Sequence, residues 1–260
     1  MAVLLLLKLI VTPLLVGAMS AIARAWGPAL GGLIMGLPWM TGPVLFFFAL
    51  ERGDVFAARM TIGIELGVAT IAAWVLGYTT VARVAGWPLS LAAACTSFGV
   101  VGTALNYAGT GAELPLASVI GYAGLIGAIC LIPIPETPPG PRTLPWWDIP
   151  ARMLATAAIV AVIIVAAEVV GTTASGIIAT FPVIAVVVGS FTHHRWGAAS
   201  AIRLLRSLLI SLASFTTFFV VVGSMIERHG AVVSFACALV VALAISASII
   251  AATLAGLIKT

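Results

Sequence analysis

Shifted against itself by 144 residues, the chain brings its least interchangeable residues into register. Pro38 falls on Pro182, Gly32 on Gly176, Gly53 on Gly197, Arg59 on Arg203, Gly86 on Gly230 and Lys8 on Arg152. In a chain that is 62% apolar, coincidences of Ala, Val and Leu carry no information. Pro, Gly and Arg matching at one fixed offset, without a gap, predict a duplication. Self-similarity of this kind constrains a fold more than any local propensity does.

The setting of the duplication follows from polarity. Only 8% of residues are charged, against roughly 25% in a soluble domain, and the mean hydropathy is +1.25. The apolar runs are continuous rather than alternating, which predicts spanning helices and not barrel strands. Nine segments are long enough to span: 3–23, 28–50, 56–79, 87–107, 114–133, 152–171, 174–192, 200–224 and 231–257, against a requirement of about 20 residues. The expected architecture is an all-α integral membrane protein of about nine helices. It is a single membrane domain with a first repeat over 1–133, a linker over 134–150 and a second repeat over 151–260. The linker region, PIPETPPGPRTLPWWDIP, is rich in prolines that oppose helix and favour an extended path. Trp146 and Trp147 are placed in the headgroup layer, and Trp26, Trp87 and Trp196 also fall near segment ends.

Counting crossings sharpens the duplication. The offset pairs helices 1–4 with 6–9 and leaves helix 5 unmatched, so an odd number of crossings separates equivalent positions. The halves are therefore expected to insert with opposite orientation, as inverted-topology repeats. Arg24, Arg83, Arg142, Arg152, Arg195, Arg203, Arg206 and Lys259 collect on one side; Lys8, Arg52, Arg59 and Arg228 collect on the other. The positive-inside rule puts the larger group in the cytoplasm, the N-terminus outside and the C-terminus inside. The first segment has the apolar run and small residues of a signal peptide. Its match to 152–170 and the Leu residues before Lys8 favour a retained helix.

Several function classes are excluded. The net charge of +4 comes from basic residues at segment ends, with no basic run interleaved with aromatics, so nucleic acid is not an expected partner. Cys95, Cys130 and Cys237 lie in apolar segments without metal-ligand spacing and read as small hydrophobes. His193 and His194 read as a polar turn rather than a metal site, and Asn106 and Tyr107 as the close of helix 4. No nucleophile, phosphate-loop or zinc signature is present, so neither enzyme chemistry nor a cofactor or metal is expected.

Four features point to transport. Pro38 and Pro182 interrupt helices 2 and 7 at equivalent places, in GGLIMGLPWMTGP and SGIIATFPVIAVVVG. Paired interruptions of this kind point to a substrate site near the midplane, with Trp39 and Thr41 beside it. Arg59 and Arg203 each open a small or polar stripe, Gly63, Gly67 and Thr70 in one half and Ser207, Ser211 and Ser214 in the other. The stripes fit either close helix packing or a polar path, and the arginines either headgroup contacts or a pair of cationic gates. Glu65 lies in mid-helix, about 120° round from Arg59. A carboxylate at that depth is costly and points to function. Binding a cation, carrying a proton and pairing with a basic residue of another helix all fit it. Its repeat equivalent is Leu209; that of Glu168 is Arg24, an arrangement open to an ion pair between halves.

The stretches GLPWMTGPVLFFFALERG and FTHHRWGAASAIRLLR resemble those of bacterial membrane proteins. The five-plus-four layout is similar to that of drug/metabolite-type carriers with five-helix inverted repeats, a likeness of architecture only. The expectation is a secondary transporter of the bacterial inner membrane, moving a small solute, anionic or proton-coupled, by alternating access. Its partners are membrane lipids and a small-molecule or ion substrate, and a homo-oligomer is compatible with the chain. The alternatives are a passive channel and a lipid-handling protein or flippase.

Overall fold

The computed structural model describes residues 2–39, 41–108, 111–134, 145–169 and 181–257, with the backbone alone at 2–9 and 163–169. Gly176, the first part of the segment 174–192, most of the proline-rich linker, Arg142, Lys259 and the side chains of Lys8 and Glu168 lie outside the described residues. Among the described residues there are nine helices and no strand. They are α1 (Ala2–Trp26), α2 (Pro28–Met35), α3 (Thr41–Arg52), α4 (Asp54–Val81), α5 (Trp87–Ala108), α6 (Leu114–Leu131), α7 (Asp148–Val169), α8 (Val183–Trp196) and α9 (Ala198–Leu254). Four of these, α4, α5, α6 and α9, are long and apolar enough to cross a membrane.

The helix count agrees with the sequence, but the division differs in two places. The expected second segment is α2 and α3 with Pro38 between them, and the expected last two segments are one element, α9. At 57 residues, a straight α9 would be about 85 Å long, far beyond a bilayer. It is not straight. Gly230, at φ 74° and ψ 168°, interrupts it, and the Ser214 hydroxyl donates to Ala242 O (2.9 Å) and meets Ser246 Oγ (2.8 Å). Ser214 and Ser246 stand at equal distances in sequence from Gly230, so the two arms fold back on each other as a hairpin. A backbone at φ near +80° and ψ near 170° is open essentially to glycine alone. Gly230→Ala is expected to cost about 1–3 kcal/mol, read as a lower melting temperature in detergent.

The chain also turns from α3 into α4 and from α8 into α9 through single glycines. Gly53 has φ 88° and ψ 164°, and Gly197 has φ 85° and ψ 172°. These two positions are equivalent under the 144-residue offset. The same holds at the prolines. Trp39 N donates to Leu37 O and Gly42 N to Pro38 O; Val183 N donates to Phe181 O and Val186 N to Pro182 O. Each proline thus sits at the centre of a three-residue turn, and Pro182, at φ −81° and ψ 66°, has the inverse γ geometry.

Contacts between helices fix their directions. Gly121 and Gly124 of α6 approach Glu65 and Ala69 of α4 in the same order, so α4 and α6 run the same way. Tyr122 meets Thr217, and Ile129 O meets Arg206, in opposite order, so α6 and the first arm of α9 run opposite ways. Gly32, Gly36 and Gly42 meet Ser207, Ser211 and Phe218 in ascending order, so α2 and α3 run along that arm in its direction. The main core is built from Val68, Trp74, Val75 and Tyr78 of α4, Val186–Val188 of α8 and Leu204–Leu212 of α9. A second cluster gathers Leu45, Ala57, Phe218, Phe219 and Ile226.

The proline-rich run was expected to stay non-helical to Pro150, yet α7 begins at Asp148. Pro150 falls in the first turn, where the missing N–H has no partner to lose. Asp148 and Arg152, one turn apart, close that turn with an ion pair of 2.8 Å.

Candidate functional site

The apolar sequence of α4 is broken by one charge in its middle, and the fold encloses that charge completely. Glu65 is 0% exposed. Thr61, one turn earlier on the same face, is also buried, with its hydroxyl donating to Ala58 O at 2.6 Å. From α6, Gly121 comes so close that a Cβ there would stand 2.9 Å from Glu65 O and 3.2 Å from Oε2. From α9, Gly223 closes on Thr61 Oγ1. Glu65 therefore lies where α4, α6 and α9 meet, under glycines that leave no room for larger residues.

Neither carboxylate oxygen has a hydrogen-bond partner, and no ion pair reaches Glu65, among the described residues. The sequence left open a basic partner on another helix; none of the described residues supplies it. The Tyr122 hydroxyl lies within electrostatic reach of the carboxylate, and Thr217 Oγ1 stands 2.6 Å from that hydroxyl. Burying an unpaired carboxylate is among the most costly arrangements available to a protein. Sequence reasoning missed Tyr122 and Thr217, because nothing in their spacing shows that α6 and α9 bring them together.

The other residues singled out in the sequence fall in a different place. Pro38 ends the α2 ladder and frees its last carbonyls. Ile34 O accepts from Trp39 Nε1 at 2.8 Å, and Leu33 O from Ser211 Oγ. Ser207 Oγ donates to Arg203 O at 2.9 Å. Pro38, Trp39, Ser207 and Ser211 are thus brought together along the contact of α2 with α9, and Thr41 opens α3 just beyond. The serine stripe is buried and its hydroxyls are occupied by backbone carbonyls, whereas Gly63, at the head of the matching stripe, faces open space. Pro182 stands at the start of α8. Arg59 is exposed on α4 and Arg203 half-buried on α9. Because these helices run oppositely, the two arginines stand near opposite ends of the bundle.

A third arginine, Arg206, has a clear structural task. Its Nη1 donates to Ile129 O (2.6 Å) and Ile132 O (3.1 Å), the orphan carbonyls at the end of α6. Arg206→Ala is expected to destabilise the protein by about 1.5–3 kcal/mol, measured by unfolding in mixed micelles.

The histidines depart from expectation. His193 and His194 are in the last turn of α8 rather than in a loop, and His193 is buried with Nδ1 3.1 Å from the Tyr78 hydroxyl. The offset equates Tyr78 with Val222 and His193 with Ala49, so this polar pair, which joins the two halves, has no counterpart across the offset. No cluster of His, Cys, Asp or Glu able to hold a metal occurs among the described residues. No protein family, curated protein or solved structure matches the chain.

Proposed function

We propose that the protein is a secondary transporter of the bacterial inner membrane. It moves a small solute by alternating access between two inverted-topology halves, with the N-terminus outside and the C-terminus cytoplasmic. The observation that carries the reading is Glu65, fully enclosed in a helix long enough to span and without a partner among the described residues. Packing alone gives no reason to keep such a group. A site that must take up and release a proton, or a cation, during a cycle gives one.

Two further facts support the inverted arrangement. α4 and the first arm of α9, which the offset equates, run in opposite directions. The turns at Pro38 and Pro182 have the same hydrogen bonds. In this reading the solute binds between the two proline turns, near Trp39 and Thr41 and beside the Ser207 and Ser211 edge. Arg59 and Arg203 attract it from opposite ends. The test is uptake into proteoliposomes under a pH gradient, across a panel of organic acids, amino acids and organic cations, with internal pH recorded. Accumulation coupled to proton movement is expected; equilibration without accumulation would instead identify a passive channel.

A lipid-handling protein is the second reading. It is favoured by an open groove of about 490 Å³ between α4 and α5, lined largely by apolar residues including Leu76, Gly77, Ala93 and Val100. Rapid exchange of fluorescent lipid between leaflets, with no solute uptake, would decide for it.

A further inference from the structure

At the end of the bundle where α6 finishes and α7 and α9 begin, two arginines share one buried carboxylate among the described residues. Asp148, fully buried at the start of α7, accepts from Arg152 Nε at 2.8 Å and lies 3.4 Å from Arg195 Nε. One carboxylate thus faces two guanidinium groups. No other acidic residue forms an ion pair here among the described residues.

The two arginines on Asp148 differ in what they have left to offer. Arg152 is buried, bonded to Asp148 and packed over the Phe191 ring at 5.0 Å. The Arg195 side chain is 25% exposed, lies over the Trp147 indole at 4.7 Å, and makes no hydrogen bond through Nε. Asp148 Oδ1 is likewise without a hydrogen bond, so the 3.4 Å contact attracts without completing a bond. Arg195 is therefore held in place by an indole and a carboxylate while most of its donor fork stays available. That fork fits the oxygens of a phosphate. Beside it are two indoles, Trp147 at 44% and Trp146 at 84% exposure, residues suited to the membrane–water boundary.

We propose that Arg195 and Trp147, backed by Asp148 and Arg152, form a site for the headgroup phosphate of an anionic phospholipid. A half-desolvated cation in surplus recognises the charge, and the exposed indoles meet the glycerol and upper acyl region. A soluble anion uses the charge alone and gives the exposed indoles no role. The proposal does not rest on the transport reading.

Native mass spectrometry of the full chain in detergent tests it, with phosphatidylglycerol, phosphatidylcholine and inorganic phosphate as separate probes. Phosphatidylglycerol is expected to bind as a one-to-one adduct at least about tenfold more tightly than phosphatidylcholine. Arg195→Gln is expected to weaken that adduct about tenfold, equivalent to about 1.4 kcal/mol. Trp147→Leu, a change at a partly exposed side chain, weakens it in the same direction and serves if the arginine variant does not fold. Equal binding of the two lipids, or phosphatidylglycerol binding unchanged in the variants that fold, overturns the proposal. So does inorganic phosphate that displaces phosphatidylglycerol at similar concentration, which assigns the site to a soluble anion.

Discussion

Glu65→Gln is expected to leave the protein folded and to abolish proton movement linked to solute uptake. Gln has nearly the volume of Glu, so the approach of Gly121 and the seat of Thr61 are preserved. What disappears is the ability to gain and lose a proton at a place sealed from water. Because the amide is never charged, the variant also escapes the desolvation of an unpaired carboxylate, and its melting temperature should equal or exceed that of the parent. In proteoliposomes, solute-driven internal acidification should fall to the level of protein-free vesicles, and whatever solute flux survives should no longer vary with pH. Glu65→Asp keeps the charge but withdraws it by one methylene, and is expected to retain pH dependence at a reduced rate. Proton flux and pH dependence unaltered in Glu65→Gln would remove Glu65 from the mechanism. A variant that unfolds would instead show that the carboxylate has a structural partner.

Much of this site was legible in the sequence, for a reason that can be stated. A single carboxylate in the middle of an apolar helix is conspicuous in one dimension, and the helical period already separates Glu65 from Arg59. The fold agrees, with the first buried and the second exposed. Prolines at one offset are also visible in one dimension, and both occupy the same turn. The surroundings of Glu65 were not legible. Tyr122 and Thr217 lie on other helices, and only the packing of α6 on α4 and α9 brings them near. The Asp148 centre was half legible. The spacing of Asp148 and Arg152 is that of a helical ion pair, but proline richness in the linker masked the helix start. Arg195 joins the centre only because α8 ends beside α7.

The serine stripe of α9 shows how an ambiguity of sequence is settled by what stands opposite. Ser207 and Ser211, four residues apart, face Gly32 and Gly36, also four apart, and the two helices touch at backbone distance. A Cβ on Gly32 would overlap the Leu204 carbonyl oxygen and stand 2.8 Å from Ser207 Cβ. A Cβ on Gly36 would stand 2.5 Å from both Cβ and Oγ of Ser211, the hydroxyl that satisfies Leu33 O above the Pro38 break. Small residues at such spacing allow helices to associate inside a membrane, where the hydrophobic effect does not drive them together. Gly32→Ala is therefore expected to destabilise the protein by about 1–3 kcal/mol, and Gly32→Leu by more, because α2 must move off α9. Ser207→Gly should rescue Gly32→Ala only in part, since the closest obstacle is a backbone oxygen that no substitution removes. Gly63→Ala provides the contrast: it is a helical glycine whose Cβ would meet nothing within 4 Å. There the better helix propensity should stabilise by up to about 1 kcal/mol. Equilibrium unfolding of the four variants in mixed micelles distinguishes the cases. If Gly32→Ala is as harmless as Gly63→Ala, then α2 does not lie on α9 as described, and the serines are free to line a path after all.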